Sequence, residues 1–398
     1  MLRPTTPPRL ATLILLTGLS TLTLNMFLPA LAQIADDLRS DYGTLTLAVG
    51  GYLALTAVVQ LGVGPLADRV GRRPVLLGAL ALFTLASIAC ALAEDAATFL
   101  AARAAQAAVI GGYVLSLAIV RDTTREEAVA GRLATIASAM ALAPLLGPIL
   151  GGVIAATVGW RAIFWIYAGA GALLWLVCLL DVGETGRAGA ASGDPNAAAA
   201  SGGALALLRA PRFVAHVACA AFSVGAFYVF LAGAALVAAA QFALSEAMLG
   251  VVIGSITVGF LAGSAAAARL SGRVGSGKVM VAGRVIAVLG LSAGLLAWGA
   301  GLVHPLAYFG ATICVGIGNG LTMPSANAGA MAVRPDLAAT AAGTSGAATV
   351  LVGALLTTLA GGLLTEANAA PALLGLMLAA ATIALTAAIW AVRLTRRA

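Results

Sequence analysis

The chain has 398 residues, of which 61% are hydrophobic and only 9% are charged, and its mean hydropathy is +1.04. Because a soluble globular protein carries about 25% charged residues, this composition excludes a water-soluble fold and indicates a lipid environment. In lipid every backbone polar group must be paired within the protein, which leaves helix bundles and closed barrels. The apolar runs are about 20 residues long, the length of membrane-spanning helices rather than of barrel strands. We therefore predict an all-α membrane protein.

Twelve apolar runs follow one another along the chain and predict 12 transmembrane helices in two groups of six. The longest connection, at 182–208, is rich in Gly, Ala and Ser and predicts a flexible cytoplasmic linker. We expect an N-terminal six-helix half at 1–181 and a C-terminal six-helix half at 209–398. The predicted spans are 10–31, 44–66, 75–94, 97–120, 133–157, 161–180, 211–232, 246–268, 279–300, 305–327, 338–362 and 370–392.

The net charge of +7 predicts an orientation in the membrane rather than binding of nucleic acid. Lys and Arg concentrate in the cytoplasmic loops of membrane proteins. If both termini are cytoplasmic, only Arg39 and Arg161 lie outside and only Arg103 lies within a span. The other 19 of the 22 cations then lie inside: Arg3, Arg9, Arg69, Arg72, Arg73, Arg121, Arg125, Arg132, Arg187, Arg209, Arg212, Arg269, Arg273, Lys278, Arg284, Arg334, Arg393, Arg396 and Arg397.

Polar residues interrupt the apolar runs of spans 1 and 4. Span 1 contains Asn25 and Met26, and span 4 contains Arg103 and Gln106. A charged residue inside a span is costly and is by default a functional candidate, although Arg103 lies near enough to the outer end to extend toward the membrane surface. Because Asn25 and Arg103 come to nearly the same depth, the arginine is expected to face an amide there.

We find no Asp or Glu well inside any predicted span. Two hypotheses follow. Arg103 attracts an anionic or strongly polar substrate, or proton coupling runs through an interfacial acid such as Asp36 or Asp37.

The loop after span 2 combines one acid, several arginines and glycines at fixed offsets. A cytoplasmic loop with a glycine turn would explain it, but an acid at a helix end can also cap a neighbouring helix or pair with arginine. The second half repeats part of the pattern at Arg273-Val274-Gly275, with Gly272 in the place of the acid. The loop residues are Gly64, Asp68, Arg69, Gly71, Arg72 and Arg73.

Span 5 combines three glycines with two prolines, at Pro144, Gly147, Pro148, Gly151 and Gly152. Gly147 and Gly151 are four residues apart, so they share one helix face and permit close packing. The prolines interrupt the hydrogen-bond ladder and are expected to kink the span. Helix packing alone would also account for this pattern.

Spans 7 and 10 hold weaker candidates. Phe227 and Tyr228 could line an apolar pocket or could pack between helices, and Asn319 could line a cavity or bond to another helix. His216, near the inner end of span 7, is expected to be solvated or interfacial. The four cysteines lack CxxC spacing, so neither disulfides nor a zinc site is expected, and no cofactor is predicted.

The loop after span 2 closely resembles the signature loop of the major facilitator superfamily. Arg103 and Gln106 resemble that superfamily's span-4 motif, and the span-5 residues resemble the antiporter motif of its exporters. The stretch from Leu24 to Leu31 resembles an element of the bicyclomycin and chloramphenicol resistance branch of drug:proton antiporters, with Asn25 where many relatives carry aspartate. The resemblance implies the major facilitator fold with two pseudo-symmetric halves, a cytoplasmic latch at Asp68 and Arg69, and a role for Arg103 in proton transfer or substrate charge.

The expected function is proton-coupled efflux of small drug-like or amphipathic compounds by alternating access. The expected location is the bacterial inner membrane, with surrounding lipid and a monomeric state. The alternative is an uptake permease of the same fold for a polar or anionic nutrient. An intramembrane enzyme is disfavoured because the acids are scattered and no HExxH or similar motif occurs. No nucleotide-binding motif is present either, so ATP is not expected to be the direct energy source.

Overall fold

The structure is a computed structural model that describes residues 8–124, 132, 135–136, 143–184, 206–334 and 337–396. Within these ranges the chain forms helices and two short 3₁₀ turns, with no β-strand. The all-helical prediction is therefore confirmed. The α-helices of the described ranges are α1 Leu10–Asn25, α2 Leu31–Asp37, α3 Tyr42–Leu45, α4 Leu47–Val70, α5 Arg72–Leu92, α6 Ala96–Gln106, α7 Ile110–Thr123, α8 Ala143–Thr157, α9 Arg161–Asp181, α10 Pro211–Phe242, α11 Glu246–Val274, α12 Ser276–Gly299, α13 Pro305–Met331, α14 Ala338–Leu363 and α15 Ala369–Arg396.

Within the described part, 11 helical segments are long and apolar enough to cross a membrane. They begin with Leu10–Asp37 and end with Ala369–Thr395. Of the predicted fifth span, 133–157, the part before α8 lies largely outside the described residues. Within α8, the residues Leu146–Thr157 form a shorter apolar helix. The count of 12 spans and the orientation of the termini remain predictions.

The first span is broken at a proline and extends to Asp37, beyond the predicted end at residue 31. Pro29 has no N–H to donate, so the α-helix cannot run through it unbroken. The chain instead forms a 3₁₀ turn at Leu28–Ala30 and resumes as α2. A second 3₁₀ turn, Ala107–Val109, separates α6 from α7 directly after Gln106.

Contacts divide the chain into two compact units. The first comprises Met1–Ala191 with Ser245–Val251, and the second comprises Ser192–Leu244 with Val252–Ala398. In the first unit α5 packs against α9, and α1 packs against α7, α8 and α9. In the second, α10 packs against α13, α14 and α15, while α12 packs against α13. The Ala- and Gly-rich sequence of α10 permits this close contact with three neighbours.

Two helix junctions have the same type of backbone conformation. Gly71 joins α4 to α5 with φ 104°, and Gly275 joins α11 to α12 with φ 94°. Residues other than glycine rarely adopt positive φ values of this size, so both junctions require glycine. They follow the repeated sequence Arg-Val, at residues 69–70 and 273–274, which supports the internal repeat inferred from sequence.

Candidate functional site

The side chain of Arg103 is held inside the first unit rather than extended to its surface. It is 1% exposed. Its own helix, α6, contains no Asp or Glu that could pair with the buried charge. Its Nη2 donates to the carbonyl of Thr23 at 2.7 Å, its Nη1 to Oε1 of Gln106 at 2.6 Å and its Nε to the carbonyl of Ala48 at 3.3 Å. All three acceptors are neutral, so the hydrogen bonds do not cancel the charge.

Two aromatic rings complete the surroundings of Arg103. Its guanidinium carbon lies 4.2 Å from the ring centres of both Phe27 and Tyr52. Ring faces attract a cation, most strongly where water is excluded. Gln106 is fixed in turn, because its Nε2 donates to the hydroxyl of Ser87 at 2.7 Å. The cation is therefore stabilised by dipoles and ring faces from α1, α4, α5 and α6.

Asn25 lies close in sequence to this cluster but does not pair with the arginine. Its side chain is 3% exposed, and its Nδ2 donates back to the carbonyl of Thr21 at 2.7 Å. Its Oδ1 is buried and has no hydrogen-bond partner among the described residues. The arginine binds the carbonyl of Thr23 instead, which the hydroxyl of Tyr167 also approaches at 3.4 Å. An orphaned buried acceptor is costly, and Oδ1 of Asn25 is left with its capacity to accept a hydrogen bond unused.

The span-5 glycines bring α8 directly against this part of α1. A Cβ added at Gly147 would lie 3.3 Å from Cβ of Asn25. One added at Gly151 would lie 1.6 Å from the carbonyl oxygen of Met26. The span-1 and span-5 motifs therefore meet, and only glycine at 151 permits the contact. Pro148 and Gly152 are buried and Pro144 is half-buried on the same helix.

The loop residues after span 2 bind the end of α9 and the segment that follows it. Nη2 of Arg73 donates to the carbonyl of Leu179 at 2.7 Å, as cations commonly do at a helix C-terminus. The backbone N–H of Arg72 donates to Glu184 at 2.9 Å, so Glu184 is the acid at the start of α5. Sequence reasoning missed this role. Arg69 is exposed, Gly64 is half-buried, and the side chain of Asp68 lies outside the described part.

The proposed interfacial acids are exposed, and one of them is engaged. Oδ2 of Asp37 accepts from the indole Nε1 of Trp160 at 2.7 Å and from Nη1 of Arg161 at 3.2 Å. This carboxylate therefore joins the end of α2 to the start of α9. Asp36 is its exposed neighbour.

The second unit contains a buried arginine that sequence reasoning assigned to the cytoplasmic side. That assignment is wrong, because Arg284 lies within α12 and is 0% exposed. Its Nε donates to the hydroxyl of Thr322 and its Nη2 to Oδ1 of Asn319, each at 2.8 Å. Its Nη1 is buried without a hydrogen-bond partner in the described ranges. Its position inside the predicted span 279–300 was the signal that should have marked it, as it marked Arg103.

The other candidates of the second unit serve as links between helices. Nδ2 of Asn319 donates to the carbonyl of Ser223 at 3.1 Å, so Asn319 bonds α13 to α10 and α12. The ring of Tyr228 lies against Gly353 of α14, where an added Cβ would meet it at 2.3 Å. Phe227, with its ring centre 6.0 Å from that of Tyr228, is half-buried. The packing alternative therefore accounts for Asn319 and Tyr228.

A family model matches the sequence over most of the chain. The model described as Major Facilitator Superfamily matches residues 13–357. The chain belongs to the Major Facilitator Superfamily. It is accordingly a membrane transporter rather than an enzyme, as the sequence predicted.

Curated relatives point to one class of transporter. The multidrug resistance protein MdtL of Escherichia coli O81 is 35% identical over 172 residues, which cover 43% of this chain and 44% of the relative. The protein of the same name from Escherichia fergusonii is 34% identical over the same length. The match thus spans less than half of the length of these relatives.

Solved structures share the fold over nearly the whole chain. A bacterial homologue of the human lysosomal transporter Spinster superposes with a TM-score of 0.76 at 16% identity, covering 96% of this chain and 95% of its own. A peptide transporter of the POT type gives a TM-score of 0.74 at 17% identity, covering 98% and 97%. At these identities the likeness shows the major facilitator fold alone.

Proposed function

We propose that the protein exports small drug-like or amphipathic compounds by proton-coupled antiport and alternating access. Its family and the partial match to multidrug resistance proteins support transport of this class. The contact of the span-5 glycines with Asn25 and Met26 supports export, because it joins the motif that resembles the antiporter signature to the polar centre of the first unit.

The observation that carries the proposal is the neutral cage around Arg103. A fully buried guanidinium that has only carbonyls, an amide and two rings as partners is a fixed positive charge. A substrate or coupling group with a negative or strongly polar part gains from binding near it. The orphaned Oδ1 of Asn25 supplies an acceptor for a substrate donor. We assign Asn25, Met26, Arg103 and Gln106 to the substrate site.

An amide carries no titratable proton at ordinary pH, so Asn25 cannot be the proton carrier. We propose that coupling uses an interfacial acid, with Asp36 the better candidate of the two, because Asp37 already holds Trp160 and Arg161. Arg103 then tunes the substrate site rather than exchanging protons itself.

The experiment uses inverted membrane vesicles with an imposed proton gradient and a labelled drug such as chloramphenicol. Export predicts gradient-dependent accumulation in inverted vesicles and none in right-side-out vesicles. Asn25→Asp is expected to introduce a pH-dependent step into transport. Gln33→Glu is the matched control, since its Oε1 is also buried without a partner in the described chain but lies on α2. Equal behaviour of both variants would reject the assignment of Asn25 to the site.

An uptake permease for a polar or anionic nutrient is the second candidate. Both units contain a fully buried arginine, Arg103 and Arg284, and neither has a carboxylate partner within the described residues. A buried positive charge without a carboxylate partner favours an anionic substrate. Accumulation only in right-side-out vesicles would select this function over export.

Further proposals rest on sequence patterns. We propose 12 spans in two six-helix halves joined by the linker at 182–208, with both termini cytoplasmic and the protein acting as a monomer in the bacterial inner membrane. We also propose that Asp68 and Arg69 form a cytoplasmic latch with the neighbouring loop residues. Membership of the bicyclomycin and chloramphenicol resistance branch rests on the span-1 motif and stays a prediction.

A further inference from the structure

One cavity in the second unit lies where four helices begin or end. It encloses about 330 Å³ where α10 and α12 begin and where α13 and α15 end. We name it the basal cavity. Its polar lining consists of Arg212, His216, Ser276, Ser325 and Thr395. This volume lies at the lower end of the range of small-molecule pockets, enough for a phosphate with a short polar substituent.

Arg212, the cation that lines the basal cavity, is incompletely satisfied. Nε of Arg212 is buried and has no hydrogen-bond partner in the described ranges. Lys278 and Arg393 are exposed at the same end of the unit. In the second unit the acid with a described side chain, Glu366, lies before α15 at the opposite end from Thr395. Among the described residues of the second unit, no carboxylate therefore lies at this end.

The start of α12 adds hydrogen-bond donors to the cavity wall. The first N–H groups of a helix have no intrahelical acceptor, and Gly275 at the N-cap has no side chain to cap them. Ser276 and Gly277, the first two residues of α12, line the cavity. Free N–H groups at the positive end of a helix dipole favour an anion.

His216 is built into the wall rather than solvated, and the interfacial position that the sequence also allowed stays a prediction. It is 8% exposed, and its ring occupies the space that a Cβ at Gly329 would take, 2.2 Å from Nε2. Its Nδ1 lies 2.8 Å from the carbonyl of Arg212. Because a carbonyl can only accept, Nδ1 carries the proton, and the bond fixes the ring beside the backbone of the arginine.

We propose that the basal cavity binds a phosphate group, supplied by an anionic lipid headgroup or by free phosphate. Arg212 and the N–H groups of Ser276 and Gly277 would hold its oxygens, since phosphate accepts charge-assisted bonds from both kinds of donor. Basic pockets between transmembrane helices are known to hold such headgroups.

The test uses the full-length protein purified in detergent, with the melting temperature and native mass spectrometry as readouts. Phosphatidylglycerol, phosphatidylcholine and inorganic phosphate are titrated separately. We expect phosphatidylglycerol to bind and stabilise, and phosphatidylcholine to do neither. Arg212→Gln should weaken binding by about fivefold, the effect of one cation near a membrane surface. The matched control, Arg273→Gln, removes an exposed cation from the same end of the unit and should change binding by less than about twofold.

The outcomes separate the sources and can overturn the proposal. Stabilisation by inorganic phosphate alone, lost in Arg212→Gln, identifies free phosphate, whereas stabilisation by lipid alone identifies the headgroup. Equal weakening by both arginine substitutions would show diffuse surface attraction and overturn the site, as would an absence of binding by either probe. If Arg212→Gln does not fold, Ser276→Leu fills the cavity from an exposed position and should abolish the same binding.

Discussion

Replacing Gly151 by alanine tests a close contact between two helices of the first unit. The added Cβ would lie 1.6 Å from the carbonyl oxygen of Met26, whereas carbon and oxygen in contact lie about 3.3 Å apart. One backbone must therefore retreat by roughly 1.7 Å, and neither can rotate away as a side chain would. Overpacking costs about 1–3 kcal/mol and occasionally more, and an obstruction by backbone favours the upper end. For a unit of this size, about 3 kcal/mol corresponds to a melting temperature lower by roughly 6–12 °C.

The assay is thermal unfolding of the purified protein in detergent, followed by drug transport in vesicles. Gly169→Ala on α9 is the matched control, because an added Cβ there meets nothing within 4 Å and alanine favours the helix by up to about 1 kcal/mol. We expect the control to be as stable as wild type or more so. If Gly151→Ala melts within about 1 °C of wild type, corresponding to less than about 0.5 kcal/mol, α1 and α8 do not touch at Met26 and the reasoning is refuted.

Three further predictions concern other contacts. A double-mutant cycle on Arg284→Met and Asn319→Leu, read by chemical unfolding, should give a coupling of about 1–2 kcal/mol, above the roughly 0.6 kcal/mol average of interhelical polar pairs; a value near zero would contradict the 2.8 Å bond. Gly71→Ala should lower the melting temperature more than Gly275→Ala, since both strain the backbone but only the former meets the Glu184 carboxylate, at 2.6 Å; equal losses would count against that contact. Backbone and side-chain hydrogen bonds from Thr98 hold the pKa of Asp95 below its usual value, so its stabilisation is present at neutral pH and lost as pH falls through the folded pKa. Asp95→Asn should therefore flatten the acid side of the melting curve against pH, and an unchanged slope would argue against this cap.

Length and composition were enough to predict the helical membrane fold, because the cost of unpaired backbone in lipid leaves few alternatives. The turns at Gly71 and Gly275 could also be predicted from the sequence, since glycine at a helix junction can adopt the positive φ that such a turn requires. The extension of span 1 to Asp37 could not. The residues that continue the helix include Gln33, Asp36 and Asp37, so hydropathy places the end of the span before them although the helix goes on.

The interior charges show a different limit. Arg103 was identified because it interrupts an apolar run, and Gln106 was named beside it. The carbonyls of Thr23 and Ala48 could not be named, because they belong to other helices whose contacts the sequence does not show. Arg284 was assigned to the wrong environment because it lies one and a half turns from the predicted start of its span, where extension to the surface is usual. Only the hydrogen bonds to Thr322 and Asn319 show that its side chain points inward.

The two buried guanidiniums also bear on leakage. A transporter in an energised membrane must not let small cations cross unaccompanied, and a fixed positive charge opposes them, as arginine does in selective pores. At 8 Å and an effective dielectric constant of 20, one such charge raises the energy of a passing monovalent cation by about 2 kcal/mol, lowering its occupancy roughly 30-fold. Arg103 and Arg284 place one such charge in each unit, so a cation that came this close to either of them would meet the barrier.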